Sequence, residues 1–179
     1  MKKRAAITGV VVAVFVLLLG TAWQVGGQTV RYDVSSYEYD CFTGLEAVWQ
    51  EGNVLHMRGV GHTNVNVSTN PELNGINTTV ADADFNLKTG NAVIRGTTSL
   101  QPDGIAGTWE GTWTFIYNRG VGGTGRAVAQ GTGALSGKTL FLDLYDAEPD
   151  GKLGEMCEGL GDPESYARSE GYILETGAP

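Results

Sequence analysis

With 179 residues, 41% of them apolar, the chain is long enough to build one domain around its own core and too apolar for wholesale disorder. Its 27 glycines against 5 prolines predict many short strands joined by tight turns and exclude a collagen-like repeat. A formal net charge of −8 excludes nucleic acid as a partner, because affinity for a phosphate backbone comes largely from Lys and Arg.

The chain opens Met1-Lys2-Lys3-Arg4, continues as an apolar run over residues 5–19, and reaches Gly27 through small and polar residues. A basic start, an apolar core and a small-residue exit are the parts of a secretory signal, with cleavage fitting after Ala22 or Gly27. The other reading is an uncleaved membrane anchor, since residues 7–25 carry no charge and just suffice to span a bilayer. Both readings place residues 28–179, taken as a single domain, outside the cytoplasm. No cysteine follows the apolar run, so a lipoprotein anchor has no support. Removing residues 1–27 deletes three basic side chains and no acidic ones, which takes the net charge from −8 to −11, 9 basic against 20 acidic. That charge disfavours an anionic membrane surface, leaving the N-terminal segment as the expected membrane contact if it is retained.

Residues 28–40 alternate weakly and are tyrosine-rich, as in a first strand or a partly ordered lead-in. The only two cysteines, Cys41 and Cys157, both lie in the exported part and predict one disulfide joining the first strands to the C-terminal segment. Residues 54–67 read as a long strand with glycines at 59 and 61, and residues 68–75 as a loop by their Asn-Pro and Asn-Gly signals. From residue 81 the pattern is a meander. Ala81, Ala83, Phe85 and Leu87 alternate with Asp82, Asp84, Asn86 and Lys88, and a turn at Thr89-Gly90 would set Leu87 opposite Ala92 and Phe85 opposite Ile94. Residues 107–117 place Trp109, Gly111, Trp113, Phe115 and Tyr117 on one face. Symmetric closure of the glycine-rich loop 118–125 onto residues 126–135 pairs Trp113 with Ala129, Gly111 with Gly131 and Trp109 with Gly133. A turn at Ser136-Gly137 adds Leu140, Leu142 and Leu144 to the same face and leaves Phe141, Asp143 and Tyr145 on the other.

Five strands follow directly, and the earlier segments with residues 171–175 raise the count to about eight. No window has convincing helical periodicity, the best being residues 163–169. An antiparallel sheet of this size with one apolar face removes its edges by closing, so the expected fold is all-β, a single up-and-down barrel, with a β-sandwich as the alternative.

Several short patterns carry little chemistry. Residues 131–139 end like a phosphate-binding loop, but Thr132 stands where the motif needs glycine. Asp146, Glu148, Asp150 and Gly151 copy the front of a calcium loop, yet Cys157 stands where its bidentate Glu belongs, so an acidic turn is expected and no metal or cofactor is assigned. His56 and His62 lie roughly 20 Å apart on a continuous strand and cannot share a metal without a bulge at Gly59 or Gly61. A His56-Arg58 pair one face-step apart suits an anion or a proton donor. Asn66-Val67-Ser68 and Asn77-Thr78-Thr79 match the N-glycosylation pattern by composition alone. No catalytic residue is assigned, and whether the chain is an enzyme stays open.

The stretch GTWEGTW followed by GGTGRAVAQGTGALSG, within residues 107–137, resembles the glycine-punctuated hairpins of the allene oxide cyclase and dirigent type of β-barrel proteins. The resemblance implies an eight-stranded antiparallel barrel that holds a small hydrophobic molecule and steers cyclisation or coupling by shape. The chain departs from the family in offering no stretch that matches its acidic and basic active-site residues, so no catalytic position is carried over. Two functions follow. In the first, Trp109, Trp113, Phe115 and Leu142 are ligand-binding walls of a lumen that takes a small apolar or aromatic molecule. In the second, the same residues fill a core, and the protein is a structural or interaction protein of the cell exterior acting through loops such as 68–75 and 118–125.

Overall fold

A computed structural model describes residues 29–148 and 150–177; the signal or anchor segment expected over residues 1–27 lies outside the described residues. The described residues form nine strands: β1 (Thr29–Gly44), β2 (Ala47–Glu51), β3 (Val54–Ser68), β4 (Gly75–Asn86), β5 (Asn91–Pro102), β6 (Trp109–Asn118), β7 (Gly122–Gly131), β8 (Lys138–Asp146) and β9 (Asp162–Thr176). One helical turn, α1 (Leu153–Met156), and two 3-10 turns, Pro71–Leu73 and Gly133–Leu135, interrupt them. All neighbours are antiparallel, in the order β1-β9-β8-β7-β6-β5-β4-β3, and β3 pairs back onto β1. Eight strands thus close into a barrel, and β2 adds a ninth beside the start of β3. The barrel expected from the sequence is observed, and the sandwich is not.

Two hairpin registers differ from expectation by two residues. The β4–β5 turn is the four-residue Leu87-Lys88-Thr89-Gly90, because Asn86 Oδ1 accepts from the Lys88 and Thr89 N–H groups and Gly90 N donates to Asn86 O. Phe85 therefore opposes Ala92 and Ala83 opposes Ile94, while Leu87 leaves the strand and stands 51% exposed. The β6–β7 loop shrinks to residues 119–121, so Trp113 pairs with Ala127, Gly111 with Ala129 and Trp109 with Gly131. A shift of two preserves side-chain parity, which is why the inward face survives both corrections.

Much of the glycine-rich segment 118–125 is strand, for a steric reason. A Cβ on Gly123 would lie 2.0 Å from Phe115 Cε1, and one on Gly125 would lie 2.4 Å from Thr114 O and 2.7 Å from Phe115 Cδ2. Glycine there makes room for an inward phenyl ring. Strand β7 also ends at Gly131 rather than residue 135, where Gly133–Leu135 turns inward. Residues 163–169, the best helical window, belong to β9.

One end of the barrel is plugged. Leu73 and Leu135, at 0% and 1% exposure, descend from the two 3-10 turns and meet Val34, Leu100, Trp109 and Ile173. The Trp109 indole N–H donates to Glu72 O at 2.8 Å, and Lys138 Nζ binds the Glu72 carboxylate at 2.5 Å. The Cys41–Cys157 disulfide is present. It fastens the β8–β9 connection to the outer face of β1, where Tyr39 also donates to the Asp150 carboxylate. Among the described residues no helix is long and apolar enough to cross a membrane.

Candidate functional site

Above the plug the barrel encloses a cavity of about 410 Å3. Its two walls differ in chemistry because strand alternation sends different residue types inward on the two halves of the barrel. Strands β5 to β8 contribute Ile94, Trp113, Phe115, Ala127 and Leu142, with Tyr117 and Asp146 towards the rim beside loops 87–90 and 119–121. Strands β1 and β9 and one end of β3 and β4 contribute Ser36, Glu38, Asp40, His62, Asn64, Asn77 and Glu164, while the other end of β3 and β4 carries Met57, Val60, Ala81 and Phe85 and continues the apolar wall.

Trp109, Trp113, Phe115 and Leu142 all border this one cavity. Trp109, 1% exposed, belongs to its floor as part of the plug, whereas Trp113 and Phe115 are half-buried on the wall. Leu142 packs against the plug from the next strand but one.

The polar wall is a hydrogen-bonded constellation. Asn64 Nδ2 and Asn77 Nδ2 both donate to Glu38 Oε1, at 2.6 and 2.7 Å, and Thr98 Oγ1 donates to Asn77 Oδ1 at 2.6 Å. His62 Nε2 meets Glu164 Oε2 at 2.5 Å, and Ser165 Oγ donates to Asp40 Oδ2 at 2.5 Å. Burial, reinforced by the negative charge of Glu38, pushes the Asp40 carboxyl up to about 8 against the pull of the Ser165 hydrogen bond. Asp40 is therefore largely a neutral acid at pH 7. Burial pulls the His62 imidazolium down, but its hydrogen bond to Glu164 and the charges of Glu164, Asp40 and Glu38 outweigh that and raise it. The His62 hydrogen bond holds Glu164 below the ordinary carboxylate range despite burial. An acid held neutral and an imidazole-carboxylate pair are the groups that proton transfer requires.

Comparison with family models, curated proteins and solved structures finds no match for the chain. The site therefore rests on its own geometry.

The remaining sequence candidates separate cleanly. A bulge does occur at Gly59, whose φ of +63° lets the β3–β4 register shift between Met57 and Val60. It turns His62 into the lumen and leaves His56 outside, so the two histidines lie on opposite faces. His56 Nδ1 and Arg58 both reach Asp84 Oδ1, at 2.7 and 2.8 Å, beneath the ring of Trp49. An ion pair already occupies the suggested anion site. Asn66 and Asn77 are 8% exposed and committed to Leu73 O and Glu38, which leaves no room for a glycan at either. Asp146 accepts from Gly123 N and Asp150 from Tyr39 O–H, so the calcium-like acids diverge. Among the described residues no group of three or more His, Cys, Asp and Glu is placed to hold a metal ion.

Sequence reasoning missed Glu38, Asp40, Asn64, Asn77 and Glu164 as lumenal groups. The available signal was parity: Ser36, Glu38 and Asp40 alternate with Tyr37, Tyr39 and Cys41, as do His62 and Asn64 with Thr63 and Val65. The usual rule of apolar-inward reads β1 backwards because its apolar side is covered from outside. Tyr39 at 5% exposure and Cys41 at 0% lie beneath the disulfide-tied β8–β9 connection.

Proposed function

We propose that the chain is an exported β-barrel protein that binds a small apolar or aromatic molecule in its lumen. The observation that carries this reading is the cavity of about 410 Å3 bounded by Trp113, Phe115 and Leu142, within the range of small-molecule sites. An interior of that volume favours a pocket over the filled core that a purely structural role would use. Export is supported by the basic, apolar and small-residue succession of residues 1–27 and by a disulfide suited to an oxidising compartment.

The cyclase or isomerase version of this pocket, suggested by the resemblance to allene oxide cyclase and dirigent barrels, draws support from the polar wall. Asp40 and the His62–Glu164 pair supply an acid and a base facing an aromatic surface that would hold and fold an apolar substrate.

Titration with a bicyclic aromatic probe tests the reading through tryptophan emission. Emission should shift or quench in a saturable way, and Leu142→Trp, which fills the lumen, should abolish the response while the barrel's circular dichroism is retained. No response from the wild-type protein to any of a broad apolar panel would overturn it.

A further inference from the structure

The lumen has an unbalanced charge. Among the described residues four carboxyl side chains border it, Glu38, Asp40, Asp146 and Glu164, against one basic side chain, His62, and no lysine or arginine. His62 is committed to Glu164 at 2.5 Å. Glu38 is held by the amides of Asn64 and Asn77, which donate hydrogen bonds but bring no positive charge, and both fall on Oε1. A half-buried carboxylate with no cation bonded to it is costly unless a partner supplies one.

A second observation is independent of charge. Asn64 is 2% exposed and lines the cavity, and its Oδ1 is a buried acceptor with no donor among the described residues. Turning the amide over does not help, because Asn64 Nδ2 lies 2.6 Å from Glu38 Oε1 and a flip would set two acceptors face to face. A buried acceptor left unpaired is rare in folded proteins and points to a missing donor.

From these two observations, and resting on the reading of the lumen as a binding site, we infer that the ligand is a small amine carried on an apolar or aromatic body. An ammonium brings both missing elements, a positive charge for Glu38 and N–H donors for Asn64 Oδ1, and its three donors suit a wall made chiefly of acceptors. Its apolar body lies across the lumen on Trp113, Phe115 and Leu142. The exported chain's charge of −11 and the exposed Asp146 at the rim favour the approach of cations over anions. A ligand with a carboxylate head meets Glu38 and Glu164 instead, and is disfavoured.

Proton linkage gives the inference a signature. Asp40 faces Glu38 on its own strand, His62 from β3, and Glu164 and Ser165 from β9. An ammonium beside this group favours the ionised carboxylate, so amine binding at pH 7 releases a proton.

Titration calorimetry on the protein compares three probes sharing one ring system: 1-naphthylmethylamine, 1-naphthylmethanol and 1-naphthoate. The amine should bind about tenfold more tightly than the alcohol, and the carboxylate more weakly than both. Amine heats should vary with the buffer's ionisation enthalpy in the sense of proton release. Glu38→Gln, which keeps an acceptor for both amides, should bring the amine to the level of the alcohol and leave the alcohol unchanged. Equal binding of the three probes, tightest binding of the carboxylate, or an unaltered amine preference in Glu38→Gln overturns the inference while the lumen reading stands. Failure of all three to bind overturns both. The three-probe series needs only the unaltered protein, so it decides the matter even if Glu38→Gln does not fold.

Discussion

Replacing Asp40 by Asn should flatten the dependence of stability on pH. In the folded barrel the carboxyl sits at about 8 against an ordinary 3.8, so the folded state holds a proton that the unfolded chain has released. Stability from a raised group is fully present below 3.8 and is lost as pH rises through 8. At about 1.4 kcal/mol per tenfold, the full displacement corresponds to on the order of 6 kcal/mol, of which about 4 falls between pH 5 and pH 8; screening by water in the lumen reduces the expected effect across that window to about 2 kcal/mol. His62, also raised, adds loss of the same sign above 6.5, and Glu164, lowered, adds loss on the acid side below 4.5. Between pH 5 and 6.5 Asp40 is thus the main source of slope among these three groups, and above 6.5 His62 adds to it. Asn keeps an oxygen to accept from Ser165 Oγ and has no charge to bury. Urea unfolding at pH 5, 6, 7 and 8 should show the wild type losing about 2 kcal/mol relative to Asp40→Asn across the series. Parallel profiles for the two proteins would refute the assignment of Asp40 as a neutral acid.

The disulfide closes a separation of 116 residues, so Cys41→Ser with Cys157→Ser should cost on the order of 4 kcal/mol, read as a lower urea midpoint, and two free thiols in the denatured, unreduced wild type would contradict the bond. Leu135→Ala empties part of the plug and should cost about 2 to 5 kcal/mol by thermal or urea unfolding, since its side chain is 1% exposed and the turn that carries it has little freedom to collapse. Gly125→Ala should cost about 1 to 3 kcal/mol, because the new methyl meets Thr114 O as well as the Phe115 ring; a neutral result would show that the ring does not lie where described.

The apolar half of the barrel was legible because three signals agreed. Alternation in strands β4 to β8, local turn residues and the match of Trp and Phe with Gly and Ala all selected one inward face. Register was less secure: a two-residue and a four-residue turn both place Phe85 and Ile94 inward, and the choice between them lies in the Asn86 side chain bonding to its own turn. The glycines at 122, 123 and 125 carry the opposite ambiguity. Composition alone reads them as loop, while the space they leave for Phe115 is a property of the neighbouring strand.

The polar half was hidden by a different effect. Alternation reports that two faces differ but not which one is inside, and a covering segment reverses the usual assignment. Once the Cys41–Cys157 bond lays the β8–β9 connection over β1, Tyr39 and Cys41 are buried from outside, and the barrel interior is free to take Ser36, Glu38 and Asp40. That freedom links architecture to chemistry. Carboxyl groups could not be tolerated in a filled apolar core, but a cavity with amide and hydroxyl partners holds them in place. The same disulfide that fits an oxidising compartment thus also steadies the outer face of the strand from which Glu38 and Asp40 enter the lumen. Loss of the bond should therefore weaken recognition of a charged head more than packing of an apolar body. The alcohol and amine probes, applied to the double serine variant under conditions where it remains folded, would separate the two.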